Sequence, residues 1–196
     1  MSNDLLLGTS NSGKIDEFFF YINFYNLFNK NNIKTLKDFP DTYEPKEDSQ
    51  NFSGNALIKA ESFYNQTELK TLSDDSGFVV DYKNKFPGVK TARLANEKGS
   101  ISNAVLSIFS QYRNSVEIPA TFFCSLCLFD SSSKIEVTGE INGKLIKYPR
   151  GKLGFGYDSY FIPKDGRKTY GEMERKEKLL NSHRYAAFKK ISRYLT

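Results

Sequence analysis

Leu5-Leu6-Leu7-Gly8-Thr9-Ser10-Asn11-Ser12-Gly13-Lys14-Ile15 is the stretch that decides the architecture. Three consecutive leucines form a short run suited to a buried strand, the small polar residues 8–13 make a loop, and Lys14 opens a helix predicted over 14–28. The apolar residues of that helix crowd around Ile15, Phe18, Phe19, Ile22 and Tyr25. A strand that feeds a helix through such a loop leaves backbone N–H groups and the positive end of the helix dipole available to phosphate. The stretch matches most of the pattern GxxxxGK[ST]. Ile15, however, stands where that pattern needs a hydroxyl for Mg²⁺. A plain strand-to-helix turn and a phosphate cradle of another type are both open readings.

Outward from this unit, strand and helix signals alternate along the chain, which defines an α/β or α+β class. A weak strand is predicted over 33–36. Residues 38–51, with two prolines and many acids, read as a loop, and a helix follows over 52–64. Two strands, 71–73 and 78–82, flank Asp74-Asp75-Ser76-Gly77, and Pro87-Gly88 marks a turn. A helix is expected over 103–112, and a hairpin from strands 120–129 and 134–146 through the serines 131–133. Residues 148–157 form a Gly-rich loop. A last helix starts near Ser182 and places Phe188, Ile191 and Leu195 at i, i+3 and i+7.

The 196 residues suffice for one large domain or a compact two-lobed one, and 17 Phe with 12 Tyr promise an aromatic core. Lys and Arg exceed Asp and Glu by five, which is mildly basic and far from a polybasic tail. No apolar run approaches the roughly 20 residues of a membrane span. Met1-Ser2-Asn3-Asp4 has no basic segment of a signal peptide. Two cysteines cannot build a disulfide framework, so a reducing, cytoplasmic setting is expected.

Several short segments could carry chemistry. Adjacent carboxylates at Asp74 and Asp75 repel unless a cation or proton joins them, and such oxygen ligands suit Mg²⁺ with phosphate. A solvated β-turn is the plain alternative there. Cys124 and Cys127 have CxxC spacing inside a strand, where a separation of three sends the thiols to opposite faces, so core packing is expected. His183, the only histidine, and Arg184 follow Ser182, a good N-cap; cations in a first helical turn oppose the dipole and call for an anion nearby. Gly151-Lys152-Leu153-Gly154-Phe155-Gly156-Tyr157-Asp158 combines close-approach glycines with aromatic faces on which a nucleobase can stack. The carboxy-terminal third is rich in Lys and Arg, but Glu172, Glu174 and Glu177 dilute any nucleic-acid-binding face.

In order, these segments resemble the inosine triphosphate pyrophosphatase family over nearly the whole chain. The resemblance is carried by Thr9-Ser10-Asn11-Ser12-Gly13-Lys14, Asn55-Ala56-Leu57-Ile58-Lys59-Ala60, Asp74-Asp75-Ser76-Gly77, Pro87-Gly88 with Arg93, Gly154-Phe155-Gly156-Tyr157-Asp158, Glu177-Lys178 and Ser182-His183-Arg184. It implies that the loop from Thr9 to Lys14, with Thr9, Asn11 and Lys14 foremost, binds the triphosphate together with Lys59. It implies Asp75 as the catalytic proton acceptor, metal binding by Asp74 and Asp75, and substrate contact at Ser76. A further metal-binding glutamate is implied in the acidic loop; counting back from Phe52 places it at Glu47, with Glu44 and Asp41 as alternatives. Base recognition is implied at Phe155, Gly156, Tyr157, Asp158, Lys178, His183 and Arg184. Two departures stand out: Gly54 where the family commonly has Glu, and a segment before Ser182, Leu179-Leu180-Asn181, more polar at its end than usual.

The resulting expectation is one catalytic domain over 1–196, an α/β fold with a long mixed twisted sheet flanked by helices, in two lobes with a nucleotide cleft. The resemblance implies hydrolysis of ITP, dITP and XTP to the monophosphate and pyrophosphate, with Mg²⁺ or Mn²⁺, in a homodimer. No nucleic-acid or membrane partner is expected. A P-loop ATPase or kinase is disfavoured by Ile15, and a basic nucleic-acid module by the acidic pair.

Overall fold

The computed structural model describes residues 4–81, 85–112 and 115–195. Among them the strands are β1 (Leu5–Gly8), β2 (Ile33–Thr35), β3 (Lys70–Asp81), β4 (Phe86–Pro87), β5 (Glu117–Phe129), β6 (Lys134–Ile146) and β7 (Phe161–Pro163). The helices are α1 (Ser12–Phe24), α2 (Phe52–Thr67), α3 (Thr91–Glu97), α4 (Ile101–Phe109), α5 (Arg175–Leu180) and α6 (His183–Ile191). The strands form one mixed, open sheet in the order β2-β1-β3-β5-β6-β7, with β4 paired to β3. β1 runs parallel to β2 and to β3, in a register that pairs Leu7 with Leu72 and Gly8 with Ser73. β7 is antiparallel to β6. The α/β expectation with a mixed sheet flanked by helices holds.

Contacts divide the chain into two units. The first takes Met1–Asp75, Cys124–Gly139 and Arg184–Thr196. Leu5, Leu6 and Leu7 are fully buried in it, as a short all-apolar strand covered on both faces must be. α1 and Tyr25, which follows it, meet α6 through aromatic rings: Tyr21 lies 5.3 Å from Phe188, and Tyr25 stacks on Tyr185 at 6.4 Å. The Tyr25 hydroxyl donates to that of Tyr185, and burial pushes the Tyr25 phenol up to about 12. The second unit takes Ser76–Phe123 and Glu140–His183. Phe78, Val105, Ile108, Leu145, Phe161 and Tyr170 build its core, with Phe122 edge-on to Phe161 at 4.5 Å.

The main correction concerns residues 74–77. They are not a turn between two strands but the middle of β3, in which Asp74 is fully buried. Local preference for a turn is overridden by the counter-charges described below. The predicted end of this strand, Tyr82, lies outside the described residues. α1 stops at Phe24 rather than 28, and α2 continues to Thr67 before Glu68 ends it in the left-handed conformation. Ser100 caps α4, accepting from the Asn103 N–H, so this helix begins earlier than expected. α3, α5 and β7 went unpredicted because each is short, and α5 is mostly charged.

Gly8 is required by close packing: a Cβ there would sit 2.2 Å from Ser73 Oγ and 3.0 Å from Phe63 and Thr71 side-chain carbons. Gly8→Ala should lower unfolding free energy by about 1–3 kcal/mol through overpacking, read as a lower midpoint in urea denaturation.

Candidate active site

The first unit gathers the charged residues around the end of β1. Asn11 caps α1, its side-chain oxygen accepting the Lys14 N–H at 3.1 Å, and the Thr9 hydroxyl accepts the Asn11 N–H at 3.3 Å. These two bonds shape the loop, while Ser10, Asn11 and Ser12 stay exposed and Gly13 is partly so. No acid occupies the first turn of α1, so the positive end of its dipole has no local carboxylate to offset it. Lys14 instead turns its ammonium to Asp74, 3.0 Å from Oδ2.

Asp74 is the hub. Arg184 on α6 places Nε 3.6 Å from the same Oδ2, and its guanidinium also pairs with Glu17 on α1. Glu17, Asp74 and Arg184 are all buried. Burial alone would raise the Asp74 carboxyl; the charges of Lys14, Arg184 and Lys59 prevail and hold it far below the ordinary range. The anion expected near the His-Arg pair is thus supplied, for Arg184, by the protein itself.

Asp75, the next residue, is tuned the other way. Burial raises its carboxyl above the usual value, Glu47 adds repulsion, and Lys59, Asn55 and Lys14 only partly offset them. Asn55 donates its side-chain N–H to Asp75 Oδ2 at 3.0 Å. Lys59 on α2 is buried, sits 3.3 Å from Glu47, and feels Asp74, Glu47 and Asp75 together, which raise its pKa against the effect of burial. Of the candidate acids in the loop before α2, Glu47 is the one at this cluster, and Glu44 and Asp41 are exposed. Cys124 approaches Asp74 at 4.0 Å while Cys127 packs with Ala56 and Ala60, so the two thiols serve different neighbourhoods. Burial pushes both thiols up to about 12.

In the second unit, Lys178 and Asp158 form a buried pair at 2.8 Å. Asp158 Oδ2 also accepts the Phe155 N–H at 2.8 Å, and the Lys178 ammonium lies 4.6 Å over the Phe155 ring. Gly154 makes room for that carboxylate: a Cβ there would stand 2.1 Å from Asp158 Oδ2. Gly156 is exposed, and Tyr157 is buried with its hydroxyl donating to the Thr91 carbonyl. His183 stacks on Phe122 at 4.8 Å. Ser76 begins this unit half-buried, and Arg93 is exposed. Ser182 donates its hydroxyl to the Leu179 carbonyl.

Glu17 and Phe122 were not among the residues singled out from sequence. Glu17 follows Lys14 by three positions on α1, so the two share a helical face; that spacing was the available signal. Nothing local marks Phe122 as a partner of His183.

A glycine-ended strand, an Asn-capped helix with a lysine, and a buried acidic pair among three cations define an α/β protein built for phosphate chemistry. The chain belongs to the Ham1 family, whose pattern it matches over residues 5–194. It is 36% identical over 198 residues to the dITP/XTP pyrophosphatase of Bacillus licheniformis, covering 98% of this chain and 97% of that one. Among solved structures it resembles a HAM1 protein from Coxiella burnetii, with a TM-score of 0.82, 28% identity and 98% of both chains covered. The nucleoside-triphosphatase, dITP/XTP pyrophosphatase, of Mycobacterium abscessus aligns with a TM-score of 0.74 at 29% identity, over 96% of this chain and 97% of that one.

The two aspartates should therefore differ in their effect on stability. Asp74→Asn leaves buried cations short of their counter-charge and should cost about 3–5 kcal/mol. Asp74 stabilises the fold in full above the ordinary carboxylate range, and that contribution is lost as pH falls below about 4 toward its depressed value. Asp75, with its pKa raised, stabilises only below that range and loses this as pH rises, so Asp75→Asn should melt at or above the parent temperature at pH 7. Thermal melts of both variants at pH 7 check the contrast.

Proposed function

We propose that this chain hydrolyses the non-standard purine nucleoside triphosphates ITP, dITP and XTP to the monophosphate and pyrophosphate. The observation that carries the reading is the gathering of two neighbouring buried carboxylates with lysines 14 and 59: Lys14 stands 3.0 Å from Asp74, and Lys59 stands 3.3 Å from Glu47. Asp74, enclosed by Lys14 and Arg184, holds the cations; Asp75, held by the Asn55 amide, is assigned as the proton acceptor. The names of the curated relatives agree with this reaction.

Thr9, Ser10, Asn11, Ser12, Gly13, Lys14 and Lys59 are assigned to the triphosphate. The exposed loop and the uncompensated end of α1 suit an anion. Asp75 accepts a proton from water as the water oxygen bonds to the α-phosphorus and the bond to the bridging oxygen breaks, so pyrophosphate leaves. Ser76 is assigned to substrate contact.

A divalent cation, Mg²⁺ or Mn²⁺, is assigned to Glu47, Asp74 and Asp75. The donor set fits: all three are hard oxygen ligands, and a positive charge, the Lys59 ammonium, already lies within their combined field. Among the described residues no three His, Cys, Asp or Glu side chains stand close enough to hold a metal by themselves. Phosphate oxygens and water would complete the shell, as is usual for Mg²⁺. When bound, the ion supplies neutralisation of phosphate charge.

Purine recognition is assigned to Phe155, Gly156, Tyr157, Asp158, Lys178 and His183 of the second unit, while Arg184, buried and paired with Glu17 and Asp74, is assigned to holding Asp74. Hypoxanthine and xanthine carry an acceptor oxygen where adenine carries a donor amino group, so a donor-lined site favours the former. We assign the whole chain, residues 1–196, to this one activity. Two free cysteines suit the cytoplasm, and among the described residues no helix is long and apolar enough to cross a membrane. A homodimer rests on the family resemblance.

Incubation with ITP, dITP, XTP, ATP and GTP plus Mg²⁺ should release pyrophosphate from the first three in preference to ATP. Orthophosphate as the first product, or equal rates with ATP, would overturn the proposal. Asp75→Asn should lose nearly all turnover while remaining folded.

A further inference from the structure

Asn55 on α2 is 1% exposed and bonds in two directions. Its Oδ1 accepts the backbone N–H of Ser49 at 2.9 Å, and its Nδ2 donates to Asp75 Oδ2 at 3.0 Å. A backbone N–H can only donate, so the amide oxygen must face Ser49 and the NH₂ must face the carboxylate. The backbone of the loop before α2 thereby decides which way the amide points. Gly54 belongs to the same arrangement. A Cβ at position 54 would lie 2.1 Å from Ser49 Oγ and 2.8 Å from Ser49 Cβ, so Ser49 can approach α2 only because residue 54 has no side chain. Rotation of the hydroxyl relieves the first contact but not the second.

We infer that Asn55 is a positioning residue for the reaction: locked by the Ser49 N–H, and with Gly54 allowing Ser49 to reach it, Asn55 fixes the rotamer of Asp75 for proton abstraction. This rests on the role proposed for Asp75 above. A base displaced by about 1 Å can lose two orders of magnitude in rate, so the amide acts on kcat rather than on substrate capture. Gly54 is then more than the loss of a family carboxylate. It is the site through which the loop is seated on the helix.

Two sets of variants test this. Asn55→Asp keeps the shape and the bond from Ser49 but presents an acceptor to Asp75; Asn55→Ala removes both bonds. Each should lower kcat for ITP about 30-fold or more with KM changed less than about threefold. Affinity for inosine monophosphate, measured by calorimetry in EDTA, should stay within about twofold of the parent, since neither variant touches a nucleotide-binding residue. Should the Asn55 variants fail to fold, the second set decides. Gly54→Ala should lower kcat about tenfold by displacing Ser49, and Ser49→Gly with Gly54→Ala, which removes both clashing atoms and keeps the N–H, should restore it to within about threefold.

Folded Asn55 variants with parental kcat, or a Gly54→Ala enzyme that is unimpaired or not rescued by Ser49→Gly, would overturn the inference while leaving the proposed reaction intact. A parent that releases no pyrophosphate from ITP would overturn both.

Discussion

An ionised carboxylate with no exposure to water is the constraint around which the first unit is arranged. Removing a carboxylate from solvent costs several kcal/mol, and only opposite charge with good geometry returns it. Asp74 draws that charge from three helices: Lys14 on α1, Lys59 on α2 and Arg184 on α6. Arg184 is itself buried and needs a second acid, which Glu17 provides. The relative placement of α1, α2 and α6 in this unit is therefore fixed by one oxygen-lined point as much as by the aromatic rings of Phe18, Tyr21, Tyr25, Tyr185 and Phe188. The apolar contacts are tolerant of small shifts; the ion pairs are not.

The second unit uses the same economy on a smaller scale. One carboxylate, Asp158, anchors the Phe155 backbone and the Lys178 ammonium together, and the ammonium is thereby stationed over an aromatic ring. A flexible glycine loop becomes a defined surface because a buried ion pair has only one good geometry. In both units a charge that local rules would place in solvent has been brought inside to fix the position of others.

The sequence made some of this legible and concealed the rest. β1, α1 and the hairpin of β5 and β6 follow from short-range patterns: an apolar run, the apolar spacing around Ile15, Phe18 and Ile22, and a serine turn. Residues 74–77 mislead, because Asp, Ser and Gly prefer turns, and only charges from distant segments make a buried strand of them. The candidate acids, lysines and aromatic loop were legible as residue types in order. Their pairings were not, since the partners of Asp74 stand 60 and 110 positions away from it in sequence, at Lys14 and Arg184. Short elements such as α3 and α5 owe their existence to tertiary packing and leave little periodic signal.

The register of β1 against β3 acquires a chemical meaning in this light. Gly8 faces Ser73, and the two residues that follow Ser73 on the strand are the fully buried Asp74 and then Asp75. A slip of one position would put Asp75 in the fully enclosed place that Asp74 holds. The ladder of backbone hydrogen bonds thus acts as a vernier: it sets which of two chemically identical side chains is enclosed among Lys14 and Arg184 and which is held by the Asn55 amide.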